Sequence, residues 1–114
     1  MNSLENVRCD IVRRLFAAYL AQHPDIVDPM LTRNFTFSSP RDDHIDRRSY
    51  FEQCWPKEKI FRDIHIEHLV ADGDDVIVSY RAEKIAGGSF RNVEMIHFAG
   101  DRIAEVNVYF GRSI

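Results

Sequence analysis

Val76-Ile77-Val78-Ser79-Tyr80-Arg81-Ala82-Glu83-Lys84-Ile85 is rich in β-branched and aromatic residues and stops at Gly87-Gly88. Ser89 to Phe98 follows and stops at Gly100-Asp101, and Ile103 to Phe110 completes the set. Glycine-bearing breaks between such runs are turn signals, so the stretch predicts three antiparallel strands joined by two tight turns. A two-residue Gly87-Gly88 loop pairs Ala86 with Ser89, Glu83 with Asn92, Arg81 with Glu94 and Ser79 with Ile96. One sheet face then carries Arg81, Glu83, Asn92 and Glu94 among Ile77, Ile85, Phe90, Ile96 and Phe98. Charged groups on an apolar face are costly unless they are paired or used, which makes this cluster the strongest functional clue.

Outward from this core, Asp72-Gly73-Asp74 turns the chain back from a fourth strand over Ile60 to Ala71. Strand alternation puts Ile60, Ile64, Ile66, His68 and Val70 on one side of it. Leu4 to Gln22 predicts a helix, with Leu4, Val7, Ile11, Leu15 and Ala18 in one stripe that Val12 and Tyr19 widen. Asn2 is its expected cap, and His23-Pro24 its expected end. Short helical turns over Pro24 to Leu31 and a strand over Asn34 to Ser38 come next. Arg41 to Ile45 reads as a charged loop, and Asp46 caps a helix that runs to about Trp55. Helices first and a long antiparallel run afterwards is an α+β plan, with helices packed on one face of the sheet.

Composition narrows the classes. The 114 residues suit a single domain, 1–114, and 45% hydrophobic residues are enough for a core. A formal net charge of −3 argues against a nucleic-acid partner, which would require phosphates to be neutralised. No apolar run approaches the ~20 residues that span a bilayer, so no membrane role is expected. Met1 to Asn6 lacks the basic start and apolar centre of a secretory signal. Cys9 and Cys54 have no metal or redox spacing, which points to reduced thiols and a cytoplasmic location. No phosphate-binding loop or metal-ligand cluster is evident, so no cofactor and no metal are expected. His65 and His68, three residues apart in a strand, are expected on opposite faces.

The order of elements, the strand ending Phe37-Ser38-Ser39-Pro40, and the closing Gly100-Asp101-Arg102-Ile103-Ala104-Glu105-Val106-Asn107-Val108-Tyr109-Phe110-Gly111 together resemble the nuclear-transport-factor-2-like superfamily. Within it the chain is most similar to small SnoaL-like and ketosteroid-isomerase-like domains. The resemblance implies a cystatin-like fold, a cone-shaped curved sheet packed on helices around an apolar cavity. It also implies a homodimer through the outer sheet face, for which Val78, Tyr80, Val93, Met95 and His97 are the expected surface. The same arrangement favours a bulged Ala99-Gly100-Asp101 loop with Asp101 left-handed, which would place Val106, Val108 and Phe110 on the Glu94 face.

Residue by residue, Glu94 falls where steroid isomerases carry a protonated acid for their oxyanion hole. Ser39 falls where those enzymes have an aspartate base, and Leu15 where they have a first-helix tyrosine. Arg81 with Glu83 and Glu94 is similar to the arginine and acids of limonene-epoxide-hydrolase-like sites, and Val108 falls where that family has an essential acid. Glu94, Arg81 and Glu83 are therefore the candidate catalytic residues. Ser39, Asn92, Asp43, His44, Tyr19, Trp55, Val108 and Phe110 are the candidate ligand contacts. A carboxylate in an apolar cone has its proton affinity raised by burial and lowered by an arginine, which suits acid–base work. Two readings follow. One is a cavity protein for a mostly apolar ligand with a polar handle, acting as a cofactor-independent isomerase, cyclase or hydrolase; the other is a non-catalytic dimeric binding module.

Overall fold

The computed structural model describes residues 2–114. Its elements are α1 (Ser3–Ala21), α2 (Pro24–Val27), a 3-10 turn (Asp28–Met30), β1 (Leu31–Ser39), β2 (Asp42–Asp46), α3 (Arg47–Cys54), β3 (Phe61–Asp72), β4 (Asp75–Lys84), β5 (Ser89–Ala99) and β6 (Arg102–Ser113). The six strands form one curved, unclosed sheet in the order β2-β1-β6-β5-β4-β3. This is the expected α+β arrangement, with the helices gathered at the N-terminal side of the sequence. The segment read as a charged loop is largely the short strand β2, which pairs with β1.

Helix α1 starts in a capping box: the Asn2 side chain accepts from Glu5 N at 2.8 Å, and Glu5 Oε1 accepts from Asn2 N. Its buried side is Arg8, Cys9, Ile11, Val12, Leu15, Phe16 and Ala18, whereas Leu4 and Val7 face solvent. The stripe is thus rotated at its first turn from the one that periodicity suggests. Arg8 explains why. Its Nε donates to Gly100 O and its Nη1 to Gly73 O, each at 2.9 Å, so it holds the β5–β6 and β3–β4 turns against the helix. Asp46 caps α3 by accepting from Ser49 N at 2.9 Å, as its position predicts.

The β4–β5 register departs from expectation. The connection is not a two-residue loop, because Lys84 N donates to Gly88 O and Gly87 N to Lys84 O, with both glycines at positive φ. Glu83 pairs with Ser89, Arg81 with Arg91, Tyr80 with Asn92 and Val78 with Glu94. The offset from the expected pairing is three residues, an odd number, so every β4 side chain changes face relative to Glu94. Val76, Val78, Tyr80 and Ala82 are buried inside, while Arg81 and Glu83 stand outside.

The second turn keeps the expected facing for a different reason. Ala99 pairs with Arg102 across Gly100-Asp101, and the left-handed residue is Gly100 at φ 63°, not Asp101. Phe98 pairs with Ile103 but His97 with Glu105, so Ala104 is an extra residue in β6. Beyond it Val106, Val108 and Phe110 lie opposite Ile96, Glu94 and Asn92. A second bulge lies in β3, where Ile66 pairs with Tyr80 and His68 with Ser79. It moves His68 and Val70 away from Ile64 and Ile66, and it puts His65 and His68 on the same outer face. Among the described residues no group of three or more His, Cys, Asp or Glu is placed to hold a metal ion.

Candidate functional site

Helices α1 and α3 close over the inner sheet face and leave a cavity of about 190 Å³. Leu15, Phe16 and Tyr19 reach it from α1, and Tyr50 and Cys54 from α3. The sheet contributes Phe37, Phe61, Ile64, Tyr80, Ala82, Phe90, Asn92, Glu94, Val108 and Phe110. Helical spacing puts Leu15 and Tyr19 on one side of α1, and strand alternation puts Tyr80 and Ala82, or Asn92 and Glu94, on one face. The wall is aromatic and aliphatic apart from one polar row.

That row runs across β5 and β4. Glu94 Oε2 accepts the Tyr80 hydroxyl at 2.8 Å, and Asn92 Nδ2 donates to the same Tyr80 oxygen at 3.2 Å. Asn92 Oδ1 in turn accepts from Gly111 N at 3.1 Å, which anchors the row to β6. Tyr19 donates to Cys54 O at 3.1 Å and joins α1 to α3 beside it. Burial pushes the Glu94 carboxyl up to about 7, and the Tyr80 hydrogen bond only partly offsets that rise. Burial, and then the charge of Glu94, hold Tyr19, Tyr50 and Tyr80 well above the ordinary phenol range. The Cys54 thiol is pushed up to about 11 by burial and by Asp42. Near neutral pH, therefore, Glu94 is the lining group poised to gain or lose a proton.

Of the expected site residues, the cavity brings together Glu94, Asn92, Tyr19, Val108 and Phe110. Arg81 and Glu83 are not opposite Glu94; they form an outer-face pair at 3.5 Å, with His65 within 4.0 Å of Glu83. Ser39 is the last residue of β1, at the turn into β2, where its hydroxyl accepts from Arg41 N at 3.0 Å and sits 3.4 Å from Asp42 Oδ2. Asp43 and His44 are exposed on β2. His44 contacts Asp43 at 2.6 Å and Glu105 at 3.3 Å, and the Asp43 hydrogen bond raises its proton affinity. Trp55 is buried behind the wall, packed edge-on against Tyr19 with ring centroids 5.0 Å apart.

The residue that sequence reasoning most clearly missed is Tyr80, which the expected register placed on the outer face. A signal for it exists: as far as Ala82, the parity of Val76, Val78 and Tyr80 carries no charge, Lys84 entering only at the strand's end, whereas Asp75, Arg81 and Glu83 share the other parity. An uncharged parity marks the buried side of a half-covered strand.

The sequence model of the SnoaL-like domain family matches residues 12–106. A search of curated proteins found no match. Among solved structures, an NTF-2 like protein of unknown function from Burkholderia xenovorans superposes with a TM-score of 0.81 at 14% identity, over 96% of this chain and 87% of that one. A putative SnoaL-like polyketide cyclase from Jannaschia also gives 0.81, at 15% identity over 95% and 88%. A putative ketosteroid isomerase from Kribbella flavida gives 0.81 at 12% identity over 96% and 82%. At such identities the superpositions establish the fold, while the sequence match establishes the family: the chain belongs to the SnoaL-like domain family.

Proposed function

We propose that this chain is a small-molecule cavity protein that takes a mostly apolar ligand with one polar handle and exchanges a proton with that handle through Glu94. The observation that carries this reading is the Glu94 carboxyl, set among aromatic side chains, 2.8 Å from the Tyr80 hydroxyl and with no cationic side chain among the described residues of the cavity wall. A group with a pKa of about 7 is matched to donating and accepting a proton near neutrality. Tyr80 and Asn92 fix the direction from which a handle is met. The fold shared with a putative isomerase and a putative cyclase favours cofactor-independent acid–base chemistry as the enzyme class.

An NMR titration with benzyl alcohol, a one-ring compound with one handle, tests the reading. Saturable shifts are expected at the methyls of Leu15, Ile64 and Val108, together with a displaced titration of the Glu94 carboxyl. Glu94→Gln is expected to weaken binding by roughly tenfold, the worth of one good hydrogen bond. Cavity methyls that never respond would overturn the reading.

One observation favours a second reading, a non-catalytic dimeric binding module. Val70, Val93, Met95 and Tyr109 are exposed together on the outer sheet face, with relative exposures of 55%, 38%, 37% and 57%. Val78 and Tyr80, expected there, are buried inside instead. A second copy of this chain is the partner proposed for that face, since the face interleaves acids with Arg81 and Arg91. Sedimentation at micromolar concentration should show a dimer that Met95→Lys dissociates. A monomeric wild type rules this reading out.

A further inference from the structure

The cavity wall is one-sided in charge. Among the described residues it contains the acid Glu94 and no lysine, arginine or histidine. The rings of Phe16, Tyr19, Tyr50, Phe61, Tyr80 and Phe90 supply much of the remaining surface. Aromatic faces are electron-rich and attract cations. Two lining rings already do so where a cation reaches them: Lys84 Nζ is 5.6 Å from the Phe90 centroid, and the Arg41 guanidinium carbon is 5.6 Å from that of Phe110. Neither acts as a counter-charge for Glu94, whose carboxyl is displaced only by burial and by the Tyr80 hydroxyl.

We propose that the handle of the ligand is a protonated amine, paired with the Glu94 carboxylate and faced by the surrounding aromatic rings. This rests on the cavity-binding reading above and narrows it to small aryl or alkyl ammonium compounds. A carboxylate set among apolar rings without a counter-charge is costly, and an ammonium ion enters carrying the charge that the described cavity wall lacks. Glu94 Oε2 takes the Tyr80 hydroxyl, and Oε1 accepts no hydrogen bond among the described residues, so one oxygen is left for the incoming N–H. The volume sets the scale. An apolar cavity of ~150 Å³ takes up benzene, so about 190 Å³ suits a single ring with a short arm.

The other titratable side chains lining the cavity are Tyr19 on α1, Tyr50 and Cys54 on α3, and Tyr80 on β4, whereas β3 and β6 present Phe61, Ile64, Val108 and Phe110. The phenols and the thiol stay neutral through the neutral range. Among the lining groups, Glu94 is therefore the one whose charge changes in that range.

Benzylamine, benzyl alcohol and toluene share one shape and differ in the handle, so parallel NMR titrations of the wild-type chain decide the matter. At about pH 8 benzylamine is expected to bind at least roughly tenfold more tightly than benzyl alcohol. Its affinity should rise between about pH 5.5 and about pH 8 as Glu94 ionises, while that of benzyl alcohol does not rise. Glu94→Gln should remove the preference for the amine; if that variant does not fold, the pH dependence of the wild type decides alone. Benzyl alcohol binding as tightly as benzylamine at about pH 8 overturns the proposal and leaves the cavity reading standing. Cavity methyls silent to all three compounds overturn both.

Discussion

The Tyr80 hydroxyl donates a 2.8 Å hydrogen bond to Glu94 although the two are not ladder partners: Tyr80 pairs with Asn92, and Glu94 with Val78. The contact is a diagonal one across two strands, within reach of a long aromatic side chain on the same face. Since Asn92 Nδ2 donates to the same oxygen, the Tyr80 hydroxyl both accepts and donates, and it orders the acid. Tyr80→Phe removes the group that partly lowers the Glu94 pKa. The Glu94 titration, followed by its carboxyl carbon signal, should move to higher pH. Stability should drop by about 1–3 kcal/mol, because Asn92 and Glu94 each lose a buried partner. A Glu94 titration that stays in place would show that the hydroxyl does not act on the acid.

The pH dependence of stability follows from the sign of the Glu94 displacement. Its folded value, about 7, lies above the ordinary 4.5, so the folded chain holds this proton more tightly than the unfolded one. The stability contributed by Glu94 is therefore complete below pH 4.5, falls as pH rises towards about 7, and stays low above that. The difference is on the order of 3 kcal/mol. Urea unfolding at about pH 4.5 and about pH 8 should show the wild type losing that much more than Glu94→Gln, whose amide does not titrate. Equal losses in the two chains would show that Glu94 titrates as an ordinary surface acid.

Arg8 is the most deeply buried charged side chain, at 4% relative exposure. Besides Gly73 O and Gly100 O, it meets Asp74 at 3.0 Å and lies over the Phe98 ring. Its hydrogen bonds join α1 to two turns that are far apart in sequence. Arg8→Met keeps the packing stem and leaves both carbonyls unmatched. A loss of about 3 kcal/mol or more is expected in denaturant unfolding, since hydrogen bonds to charged groups are the stronger kind. A change under about 1 kcal/mol would mean that water replaces the guanidinium at both turns.

The order of the elements other than β2, the α1 and α3 caps and the shared face of Asn92 and Glu94 were legible in the sequence, because capping chemistry and strand alternation are local, whereas the inward facing of Val106 and Val108 came only with the family resemblance. The partner of Glu94 was not. Choosing between Arg81 and Tyr80 depended on the length of one loop, and Gly87-Gly88 supports either a two-residue turn or the longer one observed, which includes Ile85 and Ala86. Bulges at Glu67 and Ala104 were equally hidden, since nothing in side-chain pattern alone marks an unpaired residue. His68 changed face for that reason. Ser39, Asp43 and His44 entered through likeness to other sites, and likeness does not fix where a β1–β2 turn points relative to a cavity.

Gly111 shows how closely the cavity wall depends on strand packing. Its amide donates to Asn92 Oδ1 at 3.1 Å, and a Cβ built on it would lie 2.0 Å from Arg91 O. That atom is backbone, so no side-chain rotation relieves the clash; β5 and β6 must separate locally. Gly111→Ala is expected to cost about 1–3 kcal/mol in urea unfolding and to pull Asn92 from the Tyr80 hydroxyl. Gly87→Ala provides the contrast. Gly87 has φ 101° and open space around its α-carbon, so alanine there strains only the turn backbone. Both variants should lose stability, but only Gly111→Ala should also weaken benzyl alcohol binding and shift the Glu94 titration. If Gly87→Ala weakens binding as much as Gly111→Ala at matched stability, the effect comes from global loosening of the sheet and the Gly111–Asn92 contact has no separate role in the site.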